Sequence, residues 1–179
     1  MFISELFLWF MIYSFFGWIY ESVFCSLYMQ HRSVNRGIFK GPYCPIYGVS
    51  ILLVLWLLQG TSNFVIVFVV ATLVCGTIEY LTSVVTEKIF KKKLWDYADE
   101  PYQLNGRIYL LGLVFFAFGI SLAKYFVQPM LTYFTGKLDN GYVDALALAL
   151  AVVFVLDVVT TFYEKRSGKR TINRSKKAL

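Results

Sequence analysis

The sequence is short of charge. Only 16% of its 179 residues are Asp, Glu, Lys or Arg, where a soluble domain carries about a quarter. Its one histidine, His31, stands alone in a polar loop, so no metal-spaced histidine pair exists. Three cysteines do not suggest a disulfide framework. Cys25 and Cys75 fall inside apolar runs, where a small buried residue is ordinary. Cys44, in "GPYCPIYG", has no adjacent base to activate it. The phosphate-loop pattern G-x-x-x-x-G-K-[ST] is missing, and no polar segment is long enough for an ATPase domain. Nucleotide hydrolysis and other soluble enzyme chemistry therefore have no support, and no cofactor is implied.

What the chain does have is apolar length. Hydrophobic residues make up 58% and aromatic residues 19%. They are gathered in blocks long enough to cross a hydrocarbon core about 30 Å thick. Backbone polar groups in lipid must pair within their own segment, so the blocks are expected to be helices. The expectation is an all-α, polytopic transmembrane bundle filling residues 1–164, with a basic tail at 165–179. Five spans are predicted, at about 3–29, 43–59, 64–89, 108–127 and 143–163. The first is expected to persist as a span, because it lacks a basic leader and a small-residue cleavage site. Pro45 suits the first turn of the second helix, "QGTSN" makes a tight turn, and Gln128–Pro129 is expected to end the fourth helix.

Charge sets the expected direction. Of the 17 basic residues, 15 lie in the loops after spans one and three and in the tail. The positive-inside rule puts these in the cytoplasm and the N-terminus outside. The tail suits anionic lipid rather than nucleic acid. Lys124, near the end of span four, is expected to snorkel outward.

Three acids lie inside apolar runs: Glu21, Glu79 and Asp157. Each precedes the next basic residue by eight to ten positions or so, which sets each roughly 12–16 Å above the basic line. An ionised group at mid-span costs about 2.5–3.5 kcal/mol. Three at one depth are expected to face each other, a polar cavity or basic partners. They either only pair helices or line a site.

The halves of the chain resemble each other weakly. "GWIYES", "NRGI" and "PIYG" in the first half match "GTIEYL", "NGRI" and "YLLG" in the second, which suggests a parallel two-span repeat. Asn35 and Asn105 are expected to cap helix starts, and Gly37 and Gly106 to allow sharp turns. Arg36 and Arg107 either anchor the loops at the membrane face or reach up to the acids. In "WDY", Asp96 either caps its loop or closes the cavity from below, between belt residues Trp95 and Tyr97.

The stretches "YSFFGWIYES", "NRGIFKGPYCPIYG" and "EKIFKKKLWDYADEPYQLNGRIYL" resemble the bacterial CmpB-like family, labelled putative ABC-transporter type IV permease. The motif positions are Gly17, Trp18, Glu21, Asn35, Arg36, Gly37, Gly41, Pro42, Pro45, Tyr47, Gly48, Glu79, Glu87, Trp95, Asp96, Tyr97, Asn105, Gly106 and Arg107. The resemblance implies a small multi-pass protein of the bacterial cell membrane. It implies a permease or permease subunit, with a separate ATPase chain and a homo-oligomer or hetero-partner. Two other readings stand beside it. One is a membrane-embedded enzyme or lipid-binding protein acting on a lipid-linked substrate. The other is a non-catalytic membrane partner that docks through "EPYQLNGR" and the tail.

Overall fold

The computed structural model describes residues 2–28 and 39–166. Asn35, Arg36, Gly37 and most of the basic tail lie outside the described residues. The described chain is helical: α1 (Phe2–Tyr28), α2 (Pro45–Leu57), α3 (Phe64–Phe90), α4 (Leu110–Leu122), a π turn (Ala123–Val127), α5 (Gln128–Thr135) and α6 (Asn140–Arg166). A two-residue ribbon, β1 (Gln103–Leu104) with β2 (Ile108–Tyr109), closes the loop before α4. Phe2–Val23, Phe64–Phe90, Leu110–Thr135 and Asn140–Glu164 are each long and apolar enough to cross a membrane. The α2 helix has 13 residues, about 20 Å, and is shorter than the hydrocarbon core.

Local chemistry accounts for most helix ends. Pro45 occupies the first turn of α2, where no N–H is needed. Asn63 caps α3 by accepting from the Val65 and Ile66 amides at 3.0 and 3.2 Å. One expected end is wrong. The fourth helix does not stop at Gln128–Pro129; it continues to Thr135. Across the π turn the Gln128 amide donates to the Ala123 carbonyl. This widened turn accommodates a proline that would clash in a regular helix. Lys124 lies in the same turn and does not snorkel. Its Nζ donates to the Leu58 carbonyl at 2.7 Å, satisfying the end of α2.

The helix α1 packs against α2 and α6, and α3 packs against α2 and α4. Tyr13, Tyr47, Val54, Ala71, Cys75 and Ile120 are among the buried core residues. Gly48 lets α2 approach α1. A Cβ there would lie 2.7 Å from the Phe10 carbonyl oxygen. Gly17 does the same for the Tyr47 ring.

The returning helices start deep. The Cys44 amide donates to the Ser14 carbonyl at 2.8 Å, so α2 begins beside the middle of α1. From Ser14, α1 runs on to Tyr28, about 21 Å further. In the second hairpin, Gly76 lies beside Leu113 and Ile108. From Glu79, α3 runs on to Phe90, about 16 Å. Residues 39–44 and 91–109 therefore climb back alongside the long helices before α2 and α4 begin. The two hairpins share this arrangement, and each sets a glycine of its long helix (Gly17, Gly76) beside an early side chain of its short one (Tyr47, Leu113).

Candidate functional site

The two deep starts bring two of the three acids together. Tyr47, third residue of α2, donates its hydroxyl to Glu21 Oε1 at 2.6 Å. Its ring is buried against Phe116 and Tyr20, with centroids 4.2 and 6.0 Å apart. Glu79 faces the same place from α3, and the charges of Glu21 and Glu79 act on one another. Tyr97, from the returning loop, is near enough to Glu79 to act on its carboxyl. Tyrosines of both returning segments thus stand near these two carboxyl groups.

Asp157 does not join them. It is on α6, which packs mainly against α1 and touches α3 where Phe162 meets Phe90. Its carboxylate accepts from the Gly41 amide (2.7 Å), the Lys40 amide (3.1 Å), Thr161 Oγ1 (2.9 Å) and the Tyr43 hydroxyl. Two turns on, Glu164 pairs with Lys40 Nζ at 2.5 Å. The expectation that all three acids face one shared site is corrected. Glu21 and Glu79 form a pair, while Asp157 satisfies the unwound backbone that leads into α2. Exposed peptide groups at membrane depth need such partners. Tyr43 and Thr161 were missed. "GPY" before the second span was the available hint.

Arg107 does not reach the acid pair either. Its guanidinium donates to Ser83 Oγ at 2.9 Å and Glu87 Oε2 at 2.6 Å, and lies 5.7 Å from the Tyr80 ring centre. Glu79, Ser83 and Glu87 recur every four residues, so they form one stripe on α3. Arg107 takes the lower two. That spacing was the signal that could have found Ser83.

Around Arg107 the loop is tightly tied. Trp95 Nε1 donates to the Arg107 carbonyl at 3.0 Å, and the Tyr97 amide donates to the Gly106 carbonyl at 2.8 Å. Gly106 has φ +67°, as a sharp turn requires, and a Cβ there would strike Asp96. Asn105 was expected to cap α4. Instead it adopts φ +54° and donates to the Tyr80 hydroxyl at 2.9 Å, and Tyr109 stands at the α4 N-cap. Asp96 is exposed and accepts from Lys93 Nζ and the Ala98 amide, both at 3.1 Å. It caps its own loop and takes no part in the acid pair. The Lys93 bond is the main cause holding its carboxyl below the usual range.

Among the remaining motif positions, Trp18 is half-buried and its ring stacks on Phe15 at 6.1 Å. Pro42 is exposed between the Asp157-bound amides and Tyr43. Among the described residues no group of three or more His, Cys, Asp or Glu side chains could hold a metal ion.

No curated protein matches the chain, and no solved structure does. One family model does match, and it covers residues 8–162, which takes in both hairpins, both returning loops and nearly all of α6. The chain belongs to the family described as "putative ABC-transporter type IV".

Proposed function

We propose that the chain is a permease, or a permease subunit, of a bacterial cell-membrane transporter. Its polar site is the Glu21–Tyr47–Glu79–Tyr97 group. That arrangement carries the reading. Two acids, on the helices α1 and α3 that flank α2, come together near the start of α2. Breaks in membrane helices are tolerated where they line a protein-enclosed or watery cavity, and transporters place binding sites at such breaks.

The orientation rests on charge. The basic residues gather at the end of the bundle that holds residues 28, 90 and 166, and this end is assigned to the cytoplasm. With α2 as a short fifth crossing, the N-terminus is outside. The site then sits in the inner leaflet. A site built on two neighbouring carboxyl groups favours a cation or takes up protons.

The chain would work with partners. Five crossings are few for a whole pathway, so a second copy or a hetero-partner completes it, and a separate chain supplies any ATPase. Membrane lipid surrounds it. The protein is read as non-enzymatic.

The test has two arms. Purification from native membranes in mild detergent should recover an ATPase chain. Glu21→Gln and Glu79→Gln should abolish complementation of a deletion phenotype at normal protein abundance. Recovery of the chain alone with lipid, together with full complementation by both variants, overturns the reading.

A further inference from the structure

The basic residues around the end of α3 fall into two sets. Lys93 and Arg107 are used within the fold: Lys93 pairs with Asp96 at 3.1 Å, and Arg107 holds Ser83 and Glu87. Lys88, Lys91 and Lys92 are exposed, and among the described residues no acid pairs with them. Glu87 and Asp96, which flank them in sequence, are already taken. Lys88 also closes a stripe of α3. Thr77, Leu81, Val85 and Lys88 recur at spacings of four, four and three, so they share one side of the helix, and all are exposed. That side lies about half a turn from the Glu79–Ser83–Glu87 stripe. From Thr77 to Lys88 the helix rises about 16 Å, one leaflet of a hydrocarbon core about 30 Å thick. Lys91 ends α3 at φ +56°, a left-handed position usually filled by glycine. A lysine holds it at a cost. What lysine adds there over glycine is a charge.

We propose that Lys88, Lys91 and Lys92 bind the phosphate head group of an anionic lipid, with an acyl chain of that lipid along Leu81 and Val85. Three features support this. The lysines stand at the end of a helix long and apolar enough to cross a membrane, where lipid head groups begin. The stripe that leads to them is apolar and open: Leu81 is 55% exposed and Val85 52%. A lipid whose phosphate meets the lysines therefore has a surface for its tail, which a soluble phosphate cannot use. Finally, the neighbouring acids are spent on Arg107 and Lys93, so the attraction of the three lysines for an anion is not neutralised locally. Interaction with the α3 dipole accounts for Lys88 alone. It requires neither a lysine in the left-handed position nor Lys92 beyond the helix. The site exists whether or not Glu21 and Glu79 take part in transport.

The full chain is placed in phosphatidylcholine bilayers, and electron paramagnetic resonance of spin-labelled lipids compares its association with phosphatidylglycerol and with phosphatidylcholine. One lysine beside anionic lipid is worth about fivefold in affinity. Wild type should therefore favour phosphatidylglycerol by about tenfold or more at about 0.1 M salt. Most of that preference should vanish at about 1 M, where the Debye length falls from about 10 Å to about 3 Å. Lys88→Gln with Lys92→Gln should remove most of it. Lys91→Gly relaxes the left-handed turn, so it should melt at or above wild type while cutting the preference about fivefold. That combination separates a lipid contact from a structural one. Lys176→Gln with Lys177→Gln removes equal charge from the tail and should cost less than the change at Lys88 and Lys92. No preference in wild type, an unchanged preference in either variant of the α3 lysines, or an equal loss from the tail variant overturns the site. So does displacement of phosphatidylglycerol by millimolar glycerol phosphate, which would assign the lysines to a soluble phosphate.

Discussion

Asp157→Asn tests whether Asp157 is a structural acid, distinct from the proposed site. Each carboxylate oxygen of Asp157 takes two donors. Oδ1 accepts from the Lys40 amide and Thr161, and Oδ2 accepts from the Gly41 amide and Tyr43. Asparagine retains one oxygen and sets an NH2 against two of those donors. Hydrogen bonds to a charged acceptor contribute about 1.5–3 kcal/mol each. Losing two, with one backbone amide left unpaired, costs roughly 3 kcal/mol at the low end, which suits a half-exposed site. For a chain of this length that is a drop of roughly 6–12 °C in melting temperature. The assay is thermal unfolding in detergent, paired with limited proteolysis at residues 39–44, which should become more susceptible. By contrast, Glu79→Gln removes charge but keeps an acceptor for Tyr97, and should move the melting temperature by less than about 2 °C. If Asp157→Asn melts with wild type while Glu79→Gln collapses, the division of labour between these acids is wrong.

Arg107→Lys should also destabilise, by about 1–2 kcal/mol, because an ammonium cannot span Ser83 and Glu87 as the planar guanidinium does. A double-mutant cycle with Glu87→Gln, read by thermal melting, should show strong non-additivity. Gly48→Ala should lose about 1–3 kcal/mol through overpacking, since the new Cβ would press on the Phe10 carbonyl. Reduced melting temperature with unchanged helical content checks this. Asp96 gives a pH dependence of known sign. Its folded carboxyl titrates below the ordinary value. Its contribution is thus present above the unfolded pKa of about 3.9 and lost as pH falls through the lower folded value. Asp96→Asn should lower stability slightly near neutrality, where that contribution is present, and flatten the profile below about pH 4.

Much of this architecture was legible because lipid leaves the backbone few choices. Apolar block length located the helices, and Pro45 marked the start of α2 by the usual chemistry of helix ends. Two kinds of feature were not legible. Pro129 read as a stop because the local pattern cannot reveal that a π turn upstream makes room for it. Tyr13 helps to hold that region through a 2.6 Å bond to Gln128, a contact 115 positions apart in the chain. Loop height was the second. Matching distances from the basic line placed three acids at one depth, but depth says nothing of azimuth around the bundle. Azimuth turns Asp157 toward Lys40, Gly41 and Tyr43 and leaves Glu21 and Glu79 near each other. Arg107 could have met either acid of the α3 stripe. Only the folded loop selects Glu87.

The opening of the membrane-depth backbone explains why acids sit in these helices at all. An unwound segment inside a bilayer exposes amides that lipid cannot satisfy. Asp157 answers that need, and it is saturated: four donors, two of them backbone, occupy both oxygens. A carboxylate so engaged has little capacity left for a mobile ligand. Glu21 and Glu79 are placed differently. Tyr47 approaches Glu21 from a segment that re-enters the bundle, and Glu79 stands close enough to Glu21 for the two to interact. Bringing two acids together costs more than placing either alone. Local cost kept at one place in a fold is the pattern expected of a working site, and on that ground we propose the Glu21–Glu79 pair, rather than the whole set of intramembrane acids, as the site.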